Sequence, residues 1–230
     1  MTRKAEGREA HGTAGSPQAR GSAHLVALRL ALLGGGSLVL ILSSVLFLRE
    51  MSDLDKATVA TTGISEIAWV ICWLVAVVLV GIYSILLVKH KRRSDETPFP
   101  SEDLKNILIT FAVPMGIGGI LGFLLVIFLT AAIGAALWVI SFGIALLAAS
   151  RRVPRFVTRL GWVVLSVGVT AIAYSWSDGT HPLPLVGVPE HLESPMLEAN
   201  LIMGVSFGLI PICYSVFFMK ACGRLRNTRG

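Results

Sequence analysis

The sequence predicts an all-α membrane protein: six transmembrane helices in an antiparallel helical bundle, with both termini in the cytoplasm. Three observations predict it. Of 230 residues, 54% are apolar and 15% charged, where a soluble domain carries about a quarter charged. The apolar residues gather into six stretches of roughly 20 residues, the length that crosses a hydrocarbon core. Finally, 18 of the 20 Lys and Arg residues fall on alternate flanks of those stretches, the pattern that the positive-inside rule produces.

Taken in order, residues 1–24 are polar, rich in Gly, Ala and Arg, and lack hydrophobic periodicity; they read as a disordered cytoplasmic tail. The six-helix domain follows over residues 25–219. Its first span, about 25–48, is longer than the apolar region of a cleaved signal peptide. Arg29 sits one turn inside it, within reach of the inner headgroups. The loop after it is acidic (Glu50, Asp53, Asp55) and faces outward. The second span, 64–88, has Trp69 near its outer end and Tyr83 near its inner end, as an aromatic belt would. A basic run including Arg92 and Arg93 then marks the inner side, followed by Pro98 and Pro100. Ser101 can cap the next helix, with Glu102 and Asp103 at its positive end.

Residues 107–149 are about 43 apolar residues without a charge. One straight helix of that length would reach roughly 65 Å, twice the hydrocarbon core. It must fold back, and the turn is expected around Leu129–Gly134, where Thr130 is the main polar side chain. This gives a third span at 106–128 and a fourth at 132–149, closed on the inner side by Arg151 and Arg152. The fifth span, 158–176, ends in Tyr174 and Trp176. Loop 177–199 holds no Lys or Arg. Ser194 and Pro195 then form a cap with proline at the first helical position. The sixth span, 199–219, leads into a cytoplasmic tail, 220–230, with Lys220 and Arg224.

The net charge of +6 is spread over four cytoplasmic flanks. It reads as topology and as contact with anionic lipid headgroups, not as nucleic-acid binding, since no aromatic-basic module accompanies it. The expected location is the plasma (inner) membrane. Cys72, Cys213 and Cys222 are not placed for an extracytoplasmic disulfide and form no C-x-x-C pair.

The most distinctive local pattern is Pro114, Gly116, Gly118, Gly119 and Gly122 in the third span. Proline bends a helix and glycines let neighbours approach, so these positions read first as a kinked packing face, and second as a flexible wall of a substrate path. In the sixth span, Gly204, Ser206 and Gly208 match G-x-S-x-G. The hydrolase motif needs a strand-to-helix turn and a histidine partner, and every His here is in a tail or loop, so a small-residue packing face is the stronger reading. His181, His191 and Glu190 in loop 177–199 are weak metal candidates whose spacing matches no ligand motif. No cofactor is expected. Away from the helix ends the spans hold no Asp, Glu, Lys, Arg or His, Glu66 and Arg29 being the nearest approaches. That argues against a charge-coupled transporter. Among the hydroxyls inside the spans, those of Thr110, Ser141, Ser166, Thr170 and Ser206 are each expected to bond their own helix backbone.

From Leu104 onward the chain resembles a family of small bacterial six-span integral membrane proteins. Pro114, Gly118 and Gly119 match its third-span pattern; Phe142, Gly143, Ala145, Leu146, Ala149, Ser150 and Arg151 match its fourth-span pattern. Ser206, Phe207, Gly208 and Tyr214 match the sixth, with Ser206 where the family usually has Gly. The chain departs from the family in its long N-terminal tail, its proline-rich loop 177–199, and Pro211 or Ile212 in place of a frequent His. The resemblance implies the architecture and a bacterial plasma membrane, and no chemistry. The expected function is a non-enzymatic, regulatory or partner-binding role, the partner being another membrane protein or a second copy. A small transporter or channel for an uncharged solute is the alternative, and an intramembrane enzyme comes third.

Overall fold

A computed structural model describes residues 17–55, 66–92, 102–151, 155–177 and 195–217. Six helices run through them: α1 (Pro17–Asp55), α2 (Glu66–Arg92), α3 (Glu102–Phe128), α4 (Ala131–Ala148), α5 (Arg155–Ser177) and α6 (Pro195–Phe217). Each is long and apolar enough to cross a membrane, and no strand occurs among the described residues. The bundle has a distal end, where α1, α3 and α5 finish, and a proximal end, where α1 starts and α6 finishes.

Local signals set several boundaries. α1 begins at Pro17, so residues 17–24, expected as tail, belong to the first helix. Proline is preorganised for a first helical position, and Gln18, Ala19 and Arg20 behind it are good helix formers. Residues 1–16 lie outside the described residues. The fold-back in the long apolar stretch occupies only Leu129 and Thr130. Thr130 is extended, and its hydroxyl accepts from the Ile133 amide at 3.3 Å, which caps α4. Pro195 opens α6.

The packing departs from three sequential hairpins. α4 is the central helix, with 56% of its span buried, and α3 and α5 pack closely on two of its sides. α6 fits between α4 and α1, and α5 reaches it at Glu198 and at Tyr214. α2 lies against α1 at the periphery; the spans of α2 and α3 are each only 17% buried. Small residues decide this order. α4 presents Ala132, Gly134, Ala135, Ala136, Gly143 and Ala145, all buried, so neighbours come close on several sides. In lipid, where apolar side chains gain nothing by leaving solvent, such close approach drives helix association.

Candidate functional site

The glycines of the third and sixth spans divide into three groups. Gly118 and Gly122 face α4: a Cβ on Gly118 would fall on the Ser141 hydroxyl, and one on Gly122 on the Trp138 indole. Gly204 and Gly208 face α1, where a Cβ on Gly208 would lie 3.0 Å from Leu40 Cβ and one on Gly204 2.9 Å from Ser43 Cβ. Gly116 and Gly119 face nothing within 4 Å. Pro114 is half-buried inside α3. The Gly119 carbonyl accepts from Trp138 Nε1–H at 3.2 Å, so α3 and α4 are also tied by a hydrogen bond.

At the distal half of the bundle the structure assembles a polar group that spans four helices. Asn200, 1% exposed, is its centre. Trp69 of α2 donates Nε1–H to Asn200 Oδ1 at 2.8 Å, and Ser43 of α1 donates its hydroxyl to the Asn200 carbonyl. Two residues earlier on α6, buried Glu198 accepts from the Ser175 hydroxyl of α5 at 2.9 Å. Trp69 stacks on Trp138 of α4 with centroids 5.7 Å apart and planes 3° off parallel, and Trp73 meets Trp69 edge-on at 6.1 Å.

Several expectations change here. Trp69 is 1% exposed and inside the bundle, so it is not a lipid-interface residue; its N–H has an acceptor within the protein and its ring a stacking partner. Two acids expected in loops are buried near helix ends instead: Glu198 one turn into α6, and Glu50 in the last turns of α1, which runs to Asp55. Glu66 is exposed as the first residue of α2. The hydroxyls of Thr110, Ser141 and Thr170 do bond back four residues, to Asn106, Leu137 and Ser166. Ser206 does not: its hydroxyl is fully buried without a partner, as are those of Ser215 and the Trp73 N–H.

Ser206 lies in the one irregular stretch of α6. Over Gly204–Leu209 the helix widens to π geometry, and the Ile210 amide reaches the carbonyl five residues back, on Val205. A serine there no longer meets the fourth carbonyl behind it in the usual way. Neither Asn200, Glu198 nor the π segment carries a local sequence signal; only the burial of two polar side chains near the start of a span could have pointed to them.

His181, His191 and Glu190 lie outside the described residues, as do Arg93, Arg152, Lys220 and Arg224. Arg92 is the last residue of α2, and Arg151 ends a short 3₁₀ turn, Ala149–Arg151, after α4. Among the described residues no three His, Cys, Asp or Glu side chains come together to hold a metal. Cys72 is half-buried and Cys213 exposed; both are free thiols.

Together the six helices define a multi-pass helical protein of the membrane-spanning type. Comparison with protein-family models, curated proteins and solved structures finds no match.

Proposed function

We propose that this protein is non-enzymatic and acts on another membrane protein, in a regulatory role, by lateral helix contact inside the bilayer. The observation that carries this reading is the open face of α3. Ala112, Gly116, Gly119 and Phe123 fall within about 60° of one another at 100° per residue. Gly116 and Gly119 have nothing within reach of an added Cβ, whereas Gly118 and Gly122, on the adjacent face, are covered by α4. One helix thus presents two small-residue faces, one used within the bundle and one left open. Small-residue faces are the usual docking surfaces between helices in lipid.

The charge pattern supports a bacterial plasma-membrane setting with the proximal end, and both termini, cytoplasmic. The likeness of Pro114, Gly118 and Gly119, and of Phe207 and Gly208, to a family of small bacterial six-span proteins supports the same setting. Anionic headgroups would meet the basic flanks there.

A photo-reactive amino acid placed at Ala112 tests the reading in native membranes. Adducts to a distinct membrane protein, or to a second copy, are expected at this position and not at Ile117 or Leu121, which are exposed on the far side of α3. Gly116→Leu should reduce the adduct about tenfold without loss of folded protein. Adducts to lipid alone would sink the proposal.

The alternative, a path for an uncharged solute, has one observation in favour: the buried hydroxyls of Ser206 and Ser215 on α6. Solute flux in proteoliposomes that is lost in Ser206→Val, with the fold intact, would favour it over partner binding.

A further inference from the structure

The π segment of α6 separates two parts of the helix that are held in different ways. The distal part is fixed by polar bonds to three neighbours: Asn200 to Trp69 and Ser43, and Glu198 to Ser175. The proximal part is held by apolar and aromatic contact. Tyr214 stacks on Phe156 of α5 with centroids 6.4 Å apart, and Ile212 lies against Gly36 of α1. Between them, the surface that α1 and α6 share is lined by Gly36, Gly204 and Gly208, so few side chains interlock across it.

Two hydroxyls at and below the π segment are unsatisfied in this arrangement. Ser206 and Ser215 are buried without a partner, although Ser44, Ser84, Thr110, Ser141 and Thr170 all bond the carbonyl four residues back. An unmade bond in a buried group is costly, and a regular α-helix would place the Ile202 carbonyl within reach of Ser206. A π turn holds one residue more than an α turn. Converting it to α geometry would carry everything beyond it about 100° around the axis and 1.5 Å along it.

We propose that α6 is a two-register helix: its distal part stays anchored at Asn200 while the part beyond Gly204–Leu209 exchanges between the observed π register and a rotated α register. The glycine-lined contact with α1 lets it turn, and the Ser206 hydroxyl gains its back-bond in the second register. The exchange places different side chains of the Ile210–Phe217 stretch against α1 and α5. It thereby gives the bundle two faces at its proximal end, independently of whether α3 binds a partner.

Isoleucine methyl groups on both sides of the segment provide the test. The full-length protein in lipid nanodiscs, labelled at Ile δ1 methyls, should show microsecond-to-millisecond relaxation dispersion at Ile210 and Ile212 and a flat profile at Ile202. Deleting Val205, which removes the extra residue, should abolish the dispersion. Ser206→Ala, which retains the packing and removes the back-bond of the α register, should change its amplitude. Flat profiles at all three methyls in the wild-type protein would overturn the proposal. So would dispersion of equal size at Ile202, or an amplitude untouched by Ser206→Ala.

Discussion

The two sides of this bundle are built from similar residues but joined differently. On one side α3, α4 and α5 meet through glycine and alanine. Gly143 of α4 is so close to α5 that a Cβ there would lie 2.8 Å from the Leu165 amide nitrogen, and Gly168 returns the fit with a Cβ position 2.9 Å from the Ile140 nitrogen. The Ser141 hydroxyl in this region bonds its own helix. Trp138 supplies a tie to the Gly119 carbonyl, and the rest is close packing. On the other side α1, α2 and α6 also meet through glycines, but hydroxyls there reach between helices: Ser43 to α6, and at its edge Ser175 to Glu198. The difference teaches how a membrane bundle divides its labour. Dispersion across glycine contacts makes a tight seam wherever two backbones can touch. Where a helix must be pinned at one level, a buried hydrogen bond does it, since no water competes. The packed seam has regular helices; the pinned helix carries the π segment.

The largest effect should come from the packed seam. Gly143→Val drives side-chain atoms into the Leu165 backbone, which belongs to a helix and cannot give way like a side-chain tip. Unfolding in detergent should show a loss at the upper end of about 1–3 kcal/mol, or no folded protein at all. A variant as stable as wild type would mean that α4 and α5 are not in contact here.

Next comes the centre of the pinned side. Asn200→Ala leaves the Trp69 N–H buried without an acceptor, while the Ser43 bond to the main-chain carbonyl at 200 can persist. A loss of about 1–2 kcal/mol is expected, with a change in tryptophan emission as Trp69 moves relative to Trp138. No change in either would show that the polar group does not hold α6.

At the edge of the same group, Glu198→Ala should cost about 1 kcal/mol by removing the acceptor for Ser175, and Glu198→Gln, which retains an acceptor oxygen, clearly less. Equal losses in the two variants would point to the charge rather than the bond as the feature that matters.

The smallest effect belongs to Ser141→Ala. The Cβ that meets Gly118 is kept and only a bond within the same helix is lost, so stability should stay within about 0.5 kcal/mol. Set beside Asn200→Ala, it separates a hydroxyl that serves its own helix from an amide that ties α6 to α2.

Much of the architecture was legible because it depends on local quantities. Length and apolarity gave six helices. The uncharged stretch 107–149 had to turn, and the one residue in its middle able to cap a helix, Thr130, is where it turns. Pro195 announced the start of α6 by its fixed φ. The glycines were legible as packing residues but not as to what they pack on. Gly116 and Gly118 look alike in the sequence, yet one is open and the other lies under Ser141, because two residues separate faces about 160° apart. Trp69 was misread for the same reason: its place near a helix end fits a belt residue, and only the arrival of Asn200 and Trp138 beside it makes it internal.

The sequence by itself determined the number of helices, their approximate lengths and where the chain reverses, since these follow from the thickness of a bilayer and the backbone's need for internal hydrogen bonds. The tertiary structure alone decided which helix stands at the centre, which polar side chains meet, and that the buried hydroxyls of Ser206 and Ser215 on α6 lack a partner. Those outcomes depend on which faces of six separate helices come together. The contacts that choose them are short-ranged, and they link residues as far apart in the chain as Ser43 and Asn200.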